Sequence, residues 1–479
     1  MFLTQKLGER YLWVDALCIV QDVDVVRQQS IENMDRIYAQ SLCTIVAGTC
    51  KDANEHLPGV TQKTQWTQFL EPVSRSLTLS AHFDYKDHLE ATKYNQRAWT
   101  FQEFQLAHRL LIFAPNNQTY FSCASAVYSE EVEPGPTLDH DMCMLDGMHS
   151  LKLSPGKNHI WSTYQRAVRN LTSRHMSHER DILNAFAGIL RRICPERSIE
   201  GLAVPIFDLA LLWQPRERLR RRTGFSSWAW AGWMGRVGWF DDGALSAFAD
   251  ASACETQQVG EWTRARAWIV WYSSWGTNIM SAAYLLDGPP WLRGSAPGRE
   301  IQEERFRGLS TGNFAPRPDM IPRRLRGLER QRRHIRYLQF WTVSVYFQIE
   351  LNDAAVLRWK SFQPESTGDG LRLFLLRDRF DEACGWVLLD EGWVEKGKTS
   401  DIRNQEFILL SEGSSPRDEG NNEEVEDETG GGIDDREFNT MMITWIDGIA
   451  ERAGVGRVRR TALANSCWRD MKWKEIVLG

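Results

Sequence analysis

The sequence predicts an α/β protein: a parallel sheet with helices at the amino end, then a mixed helical and antiparallel-β carboxyl-terminal region. Three observations predict it. Tyr11–Ile19 (YLWVDALCI), the polar stretch Gln21–Gln40 and Leu42–Ala47 (LCTIVA) read in turn as strand, helix and strand. Amphipathic spacing then recurs in Trp161–Leu171 and Asp181–Cys194. Strict alternation at Thr342–Glu350 (TVSVYFQIE) opens a series of strand-like segments.

Tyr11–Ile19 is mostly apolar, as a strand covered on both faces must be. In the stretch that follows, Ile31, Met34, Ile37 and Tyr38 are spaced for one helical face. With Leu42–Ala47 these form a βαβ unit, whose strands run parallel and whose crossover is right-handed. Ligands of such sheets lie beyond the carboxyl ends of the strands, which puts Asp15, Cys18, Gln21 and the loop after Ala47 on the functional edge. Downstream, Tyr94–His108 reads as a helix, and Arg109–Ala114 and Thr119–Cys123 as a strand pair around the turn at 115–117.

Residues 150–290 read as a helical, Trp-rich accessory region, with Ile206–Trp213 an apolar helix stopped by Pro215. Trp228, Trp230, Trp233 and Trp239 form either a packed core or an aromatic cage, and the packed core is the simpler reading. Residues 291–336 hold twelve arginines against five acidic residues and read as a linker or insertion, with no aromatic interleaving to make an RNA surface. Residues 337–411 form an antiparallel β region, continued by strand-like 371–377, 385–389 and 406–411. Residues 412–437, with eleven acidic residues, two basic ones and a Gly triplet, read as a disordered loop. The segment 438–479 returns to apolar periodicity and is expected to pack on the β region.

Composition narrows the function classes. The chain has 479 residues, 42% hydrophobic and 25% charged, with 21 tryptophans and a net charge of −6. That charge gives no case for a nucleic-acid or membrane-surface partner. Nine scattered cysteines without a CxxC pair argue against a disulfide framework and a zinc site. The amino-terminal MFLTQKLGERYLW lacks the apolar stretch of a signal peptide, and no apolar run is long enough to span a bilayer, so a cytoplasmic location is expected.

Few motifs carry chemistry. The GxSxG string at 308–312 lacks the strand before and the helix after that a nucleophile elbow needs. His175 and His178, spaced HxxH, lack a third ligand and read as surface residues, so no metal is expected. No nucleotide-binding fingerprint is present. What remains is RAWTFQE (97–103), where Trp99 and Glu103 stand at i and i+4 and share a helical face. A carboxylate beside an aromatic wall can bind a ribose hydroxyl or stabilise a developing cation. The alternative is that Trp99 is core and Glu103 pairs with Arg97 or Arg109.

These blocks resemble the heterokaryon-incompatibility (HET) domain of filamentous fungi over residues 1–125. YLWVDALCIVQD (11–22) with MDRIYAQSLCTIVAG (34–48) is similar to its strand–helix–strand, RAWTFQE (97–103) to its downstream signature, and RLLIFAPNNQTYFSC (109–123) to the following hairpin. The segments 170–190, 209–215, 225–237 and 473–479 resemble the long carboxyl-terminal regions of such proteins. Family members begin with a strand and loop of the type LSYxWG. This chain starts ten residues before YLWVDALCI, so the resemblance implies an N-terminally truncated domain with its first strand missing.

HET domains are in turn distantly similar to Toll/interleukin-1 receptor (TIR) domains, several of which cleave NAD. LWVDALC resembles the TIR second strand with its acidic loop, and TIVAG the strand before the catalytic helix. Trp99-x-x-x-Glu103 has the spacing of the TIR signature with its catalytic glutamate, with Thr100 in place of its cysteine. The fold implied is an incomplete TIR-like parallel sheet. The function implied is self/non-self recognition and programmed cell death through NAD cleavage, with Glu103 catalytic and Asp15, Trp99, Cys18 and Gln21 binding substrate. NAD is then a substrate, and no cofactor is called for. The competing expectation is a non-catalytic adaptor, which self-associates or docks on another incompatibility protein, or a degenerate, inactive copy.

Overall fold

The computed structural model describes residues 1–52, 54–60, 70–80, 85–115, 117–130, 160–195, 198–239, 267–271, 337–351, 370–391, 404–413 and 437–479. The chain divides into two units, Met1–Asn158 with Arg166–Pro195, and His159–Gln165 with Glu196–Gly479.

The first unit is built on a short mixed sheet. Its strands are β1 (Thr44–Ala47), β4 (Arg109–Phe113), β5 (Thr119–Cys123) and β6 (Val127–Ser129), in the order β1-β4-β5-β6. β1 runs parallel to β4, with Val46 opposite Ile112, while β4/β5 and β5/β6 are antiparallel. A separate hairpin, β2 (Leu70–Ser74) with β3 (Leu77–Ser80), lies between β1 and β4 in sequence. Val46, Leu110 and Ile112 pack with Phe104, Leu89 and Tyr120 in one apolar cluster. The pair expected at 109–123 is therefore present. The parallel sheet is reduced to one parallel pair in a mixed sheet.

The strand expected at Tyr11–Ile19 does not form. The segment carries a one-turn helix, α2 (Asp15–Cys18), after the short α1 (Phe2–Lys6). Tyr11 is 85% exposed and Leu17 79% exposed. An extended chain with no neighbour leaves its peptide groups unpaired. Here the turn closes them locally, with Leu17 and Cys18 N–H both donating to the Val14 carbonyl, at 3.0 and 2.8 Å. The crossover helix is likewise split, into α3 (Asp24–Glu32) and α4 (Met34–Gln40), at Asn33.

Further helices belong to this unit. α7 (Ala98–Leu106) follows α5 (Tyr85–Glu90) and α6 (Lys93–Gln96), and buries Ala98, Phe101, Phe104 and Leu106. The carboxyl half of α8 (Ile160–Thr172) leads to α9 (Ile182–Ile193), whose apolar stripe Ile182, Ala185, Phe186, Ile189 is buried at the 3.6-residue period. At Gly188 on α9 a side chain would meet the Asp35 Cβ at 2.4 Å, so glycine lets α9 lie close against α4.

The second unit ends in a closed barrel. Its strands are β7 (Leu338–Leu351), β8 (Leu371–Arg377), β9 (Ala383–Asp390), β10 (Gln405–Glu412), β11 (Glu437–Ile446) and β12 (Ile449–Arg459). The ring β7-β8-β9-β12-β11-β10 returns to β7 through Val345 opposite Phe407, all pairs antiparallel. β13 (Lys472–Leu478) covers the first half of β7. Closure leaves these six strands no free edge and fills the interior with Val345, Phe347, Leu376, Val387, Phe407 and Met442. Gly456 stands opposite Val387, where a Cβ would lie 2.0 Å from the Trp386 carbonyl, so glycine lets β9 and β12 approach.

The Trp-rich stretch of the second unit is a packed core, except that Trp233 is half-buried. Trp213, Trp228, Trp230 and Trp239 are among its largest fully buried side chains. Buried indole N–H groups need acceptors. Trp213 donates to the Trp228 carbonyl at 2.7 Å, Trp230 to the Tyr164 hydroxyl at 3.0 Å and Trp239 to the Leu209 carbonyl at 3.1 Å. The apolar helix expected at Ile206–Trp213 is shorter, a 3-10 turn at Val204–Ile206 running into α10 (Phe207–Ala210). Residues 291–336, with the 308–312 string, and nearly all of 412–437 lie outside the described residues.

Candidate functional site

The site grows from the junction between α6 and α7. Thr92 caps α6, its hydroxyl accepting from Asn95 N–H at 3.2 Å. At Arg97 the backbone is extended (φ −82°, ψ 134°), so the helix expected across 94–108 breaks there and restarts. The buried Thr100 hydroxyl lies 2.5 Å from the Tyr94 carbonyl and 2.8 Å from that of Arg97, tying the first turn of α7 back onto the junction. From the far side, His175 N–H donates to the Gln96 carbonyl at 2.6 Å, and Ala98 N–H donates to the His175 carbonyl at 2.9 Å. The second bond satisfies one of the free donors at the start of a helix.

Arg174 completes this clamp. Its guanidinium donates to Asn95 Oδ1 at 2.6 Å and to the Arg97 carbonyl and Thr100 Oγ1 at 3.4 Å each. It also lies over the Phe101 ring, 5.0 Å from the centroid. Burial pulls its titration down to about 10, against the opposing influence of Tyr94.

With α7 so fixed, Phe101 and Phe104 point into the core, while Trp99 and Glu103 form its half-buried face. Glu103 and the phenol of Tyr38, on α4, act on each other's titration. Burial of the Glu103 carboxyl pushes its titration up to about 7; Asp15 pushes the same way, and Arg97 and Tyr38 pull against it. Tyr38 is pushed well above the usual phenol range, by burial first and then by Glu103 and Asp15. Tyr94 is raised too, by burial and then by Glu103, and its buried hydroxyl has no hydrogen-bond partner among the described residues. The Tyr38 ring meets Trp13 edge-on, with centroids 5.6 Å apart.

Asp15, Trp99 and Glu103 therefore fall in one neighbourhood, although Asp15 stands on a helical turn and not at a strand end. Among the described residues, the hydrogen bonds of Cys18 and Gln21 are local. Val14 N–H lies 3.4 Å from the Cys18 sulfur, and the Gln21 carbonyl accepts from Arg27 at 3.3 Å. Arg109 reaches the Leu42 carbonyl instead of Glu103. Tyr38, Tyr94 and Arg174 were not singled out by sequence. Tyr38 carried one signal, its place on the helical face with Met34 and Ile37. Among the described residues, no group of three His, Cys, Asp or Glu side chains is placed to hold a metal ion. Nor is any helix among them long and apolar enough to cross a membrane.

The family model of the heterokaryon incompatibility protein (HET) matches residues 1–103, ending on Glu103 itself. The chain carries a HET domain. No curated protein and no solved structure matches it. The unit that contains the HET match extends beyond it to Arg166–Pro195, the segment that supplies Arg174, His175 and α9.

Chemically, the HET site presents an acid that exchanges its proton near neutrality, between a second carboxylate, two phenols and a guanidinium. An ionised Glu103 can accept from sugar hydroxyls and stabilise positive charge developing close by. The half-buried Trp99 on the same face offers a flat apolar surface.

Proposed function

We propose that this heterokaryon incompatibility-type protein acts in self/non-self recognition and programmed cell death by cleaving NAD at Glu103. The observation that carries the reading is Glu103 on the half-buried face of α7, one helical turn from Trp99, where burial raises its titration to about 7 and Asp15 and Arg97 act on it. In the reaction the bond from ribose C1′ to the nicotinamide nitrogen breaks, and its electron pair leaves with nicotinamide, which departs neutral. Water adds through its oxygen to C1′ and gives up a proton to solvent. Glu103, as the carboxylate, stabilises the oxocarbenium-like transition state and accepts from a ribose hydroxyl, while Trp99 walls the site.

The test is intracellular NAD in a host expressing the chain or its Glu103→Ala variant, with nicotinamide release followed in the purified proteins. Depletion by the wild type and its loss in a soluble, folded variant are expected. Equal cleavage by both removes Glu103 from the chemistry, and intact NAD with both removes the enzyme.

One observation favours a second reading, a self-associating signalling module. Among the described residues, β1 lies at the edge of its sheet, and Tyr11, Leu17, Val25 and Leu42 in the same unit are exposed. An open strand edge beside apolar side chains is a template for pairing with another chain. Under this reading the chain elutes as a dimer or larger species, and Glu103→Ala leaves both assembly and cell death unchanged.

A further inference from the structure

The HET match ends on Glu103, inside α7, so it contains the face with Trp99 and Glu103 but not all that holds that helix. α7 has nine residues, and Arg97 ahead of it supplies no side-chain cap. A helix this short gains little stability from its own hydrogen bonds, and its placement follows from what it is fastened to.

Three fastenings come from one later segment of the same unit, Arg166–Pro195. At the amino end of α7, His175 lies alongside Arg97 in an isolated parallel bridge. Its N–H donates to the Gln96 carbonyl at 2.6 Å, and its carbonyl accepts from Ala98 N–H at 2.9 Å. Beside it, the Arg174 guanidinium donates to Asn95 Oδ1 at 2.6 Å and to the Arg97 carbonyl and Thr100 Oγ1 at 3.4 Å each, and covers the Phe101 ring. Further along, Gln102 Oε1 accepts from Gly188 N–H on α9 at 3.1 Å. The contacts thus fall on Ala98, Thr100, Phe101 and Gln102. Trp99 stands among them and Glu103 directly follows. With about 100° between successive residues of a helix, holding those four fixes the direction in which Trp99 and Glu103 face.

We propose that Arg174 and His175 are positioning residues for Trp99 and Glu103, fixing the start of α7 so that this face meets the substrate in one orientation. The inference rests on the reading of Glu103 as the reacting acid. It makes the segment Arg166–Pro195 a working part of the HET site, although that segment lies beyond the match to the family. His175 acts through its backbone, and Arg174 through its bonds to the α6–α7 junction. Misplacing a reacting group by about 1 Å can cost about a hundredfold in rate, so a clamp on the helix is felt at the acid.

The experiment compares the full chain with Arg174→Met, Asn95→Leu and Asn95→Asp, each at a temperature where circular dichroism shows it folded. Two readouts are taken. The first is the protonation midpoint of Glu103, from the carboxyl infrared band that Glu103→Gln abolishes, and it needs no substrate. The second is kcat and KM for NAD hydrolysis. In Arg174→Met the released helix turns the acid toward water, and the midpoint falls from about 7 by about one pH unit. Loss of the Arg174 charge alone would push the midpoint up, so a fall reports movement of the helix. The kcat for NAD falls about tenfold, with KM within about twofold of wild type. Asn95→Leu, which removes the acceptor of the 2.6 Å bond, moves both readouts the same way. Asn95→Asp, which keeps an oxygen for the guanidinium, stays close to wild type. A loss of overall stability alone moves neither readout in folded protein.

An unchanged midpoint in folded Arg174→Met overturns the proposal and reduces the clamp to stability. A midpoint that falls while wild-type protein leaves NAD intact removes the NAD reading and keeps Arg174 as the residue that orients the acid. Should Arg174→Met fail to fold, Asn95→Leu decides in its place, and an unchanged midpoint there overturns the proposal equally.

Discussion

The amide of Gly188 donates to the side-chain oxygen of Gln102 at 3.1 Å, across two helices that are 86 residues apart in the chain. The contact exists because Gly188 has no Cβ. One placed there would lie 2.4 Å from the Asp35 Cβ and 2.9 Å from the Gln102 oxygen. In an ordinary helix interior Gly→Ala stabilises by about 1 kcal/mol. Here the overlap dominates, so Gly188→Ala is expected to destabilise the first unit by about 2 kcal/mol. Thermal unfolding checks it, and a raised midpoint would show that α9 can slide away from α4 without loss.

Arg174 provides the second prediction. It touches Asn95, the Arg97 carbonyl and Thr100 together, which a planar guanidinium with several donors can do and an ammonium cannot. Arg174→Lys is therefore expected to behave nearly as Arg174→Met, each losing about 2 kcal/mol. A double-mutant cycle with Asn95→Ala should return a coupling of about 1 kcal/mol. Additive losses would mean that the 2.6 Å contact contributes nothing of its own.

Side-chain period was the part of this fold open to reading in advance. Val343, Val345, Phe347 and Ile349 alternate into the barrel interior, so the strand announced itself at Thr342–Glu350. Barrel closure did not, because it depends on Val345 finding Phe407, a pairing that no local pattern encodes. Tyr11–Ile19 misled for a related reason: apolar content shows that a strand would be stable if paired, and not that a partner strand is there. At the site, Trp99 and Glu103 were visible through their i, i+4 spacing. Tyr38 looked like one more apolar position of a helix, and Arg174 lies too far along the chain for any motif to join it to Arg97.

Glu406 in the barrel is the opposite case to Glu103. It accepts from Ser344 and Lys474 at 2.6 Å and from Trp445 at 2.7 Å. Burial raises its titration, but these donors outweigh burial and hold it below the usual carboxylate range. A lowered carboxyl contributes stability that is present above the unfolded-state value and lost as pH falls through the folded one. Glu406→Gln is expected to cost about 2 kcal/mol at pH 7, by weakening the bond to Lys474. The gap from wild type should narrow as pH falls below the usual carboxylate range, where the native acid takes up its own proton. Chemical denaturation over a series of pH values from 7 downward checks it, and a gap constant to the lowest pH at which the fold survives would place the cost in packing.

For Glu103 the sign reverses. Its folded-state titration stands at about 7, raised from the ordinary carboxylate value chiefly by burial. Between those two values the folded chain binds a proton that the unfolded chain has released. Stability is therefore full below about pH 4.5 and falls as pH rises toward 7, after which it levels off. The lost amount is on the order of 3 kcal/mol. Glu103→Gln cannot ionise and so should unfold at higher denaturant than wild type at pH 8, while the two should converge near pH 4.5. Parallel pH curves for the two proteins would show that Glu103 is solvated when ionised. Solvation of that kind would also weaken the case for a catalytic carboxylate there, since an acid surrounded by water offers little to a developing cation.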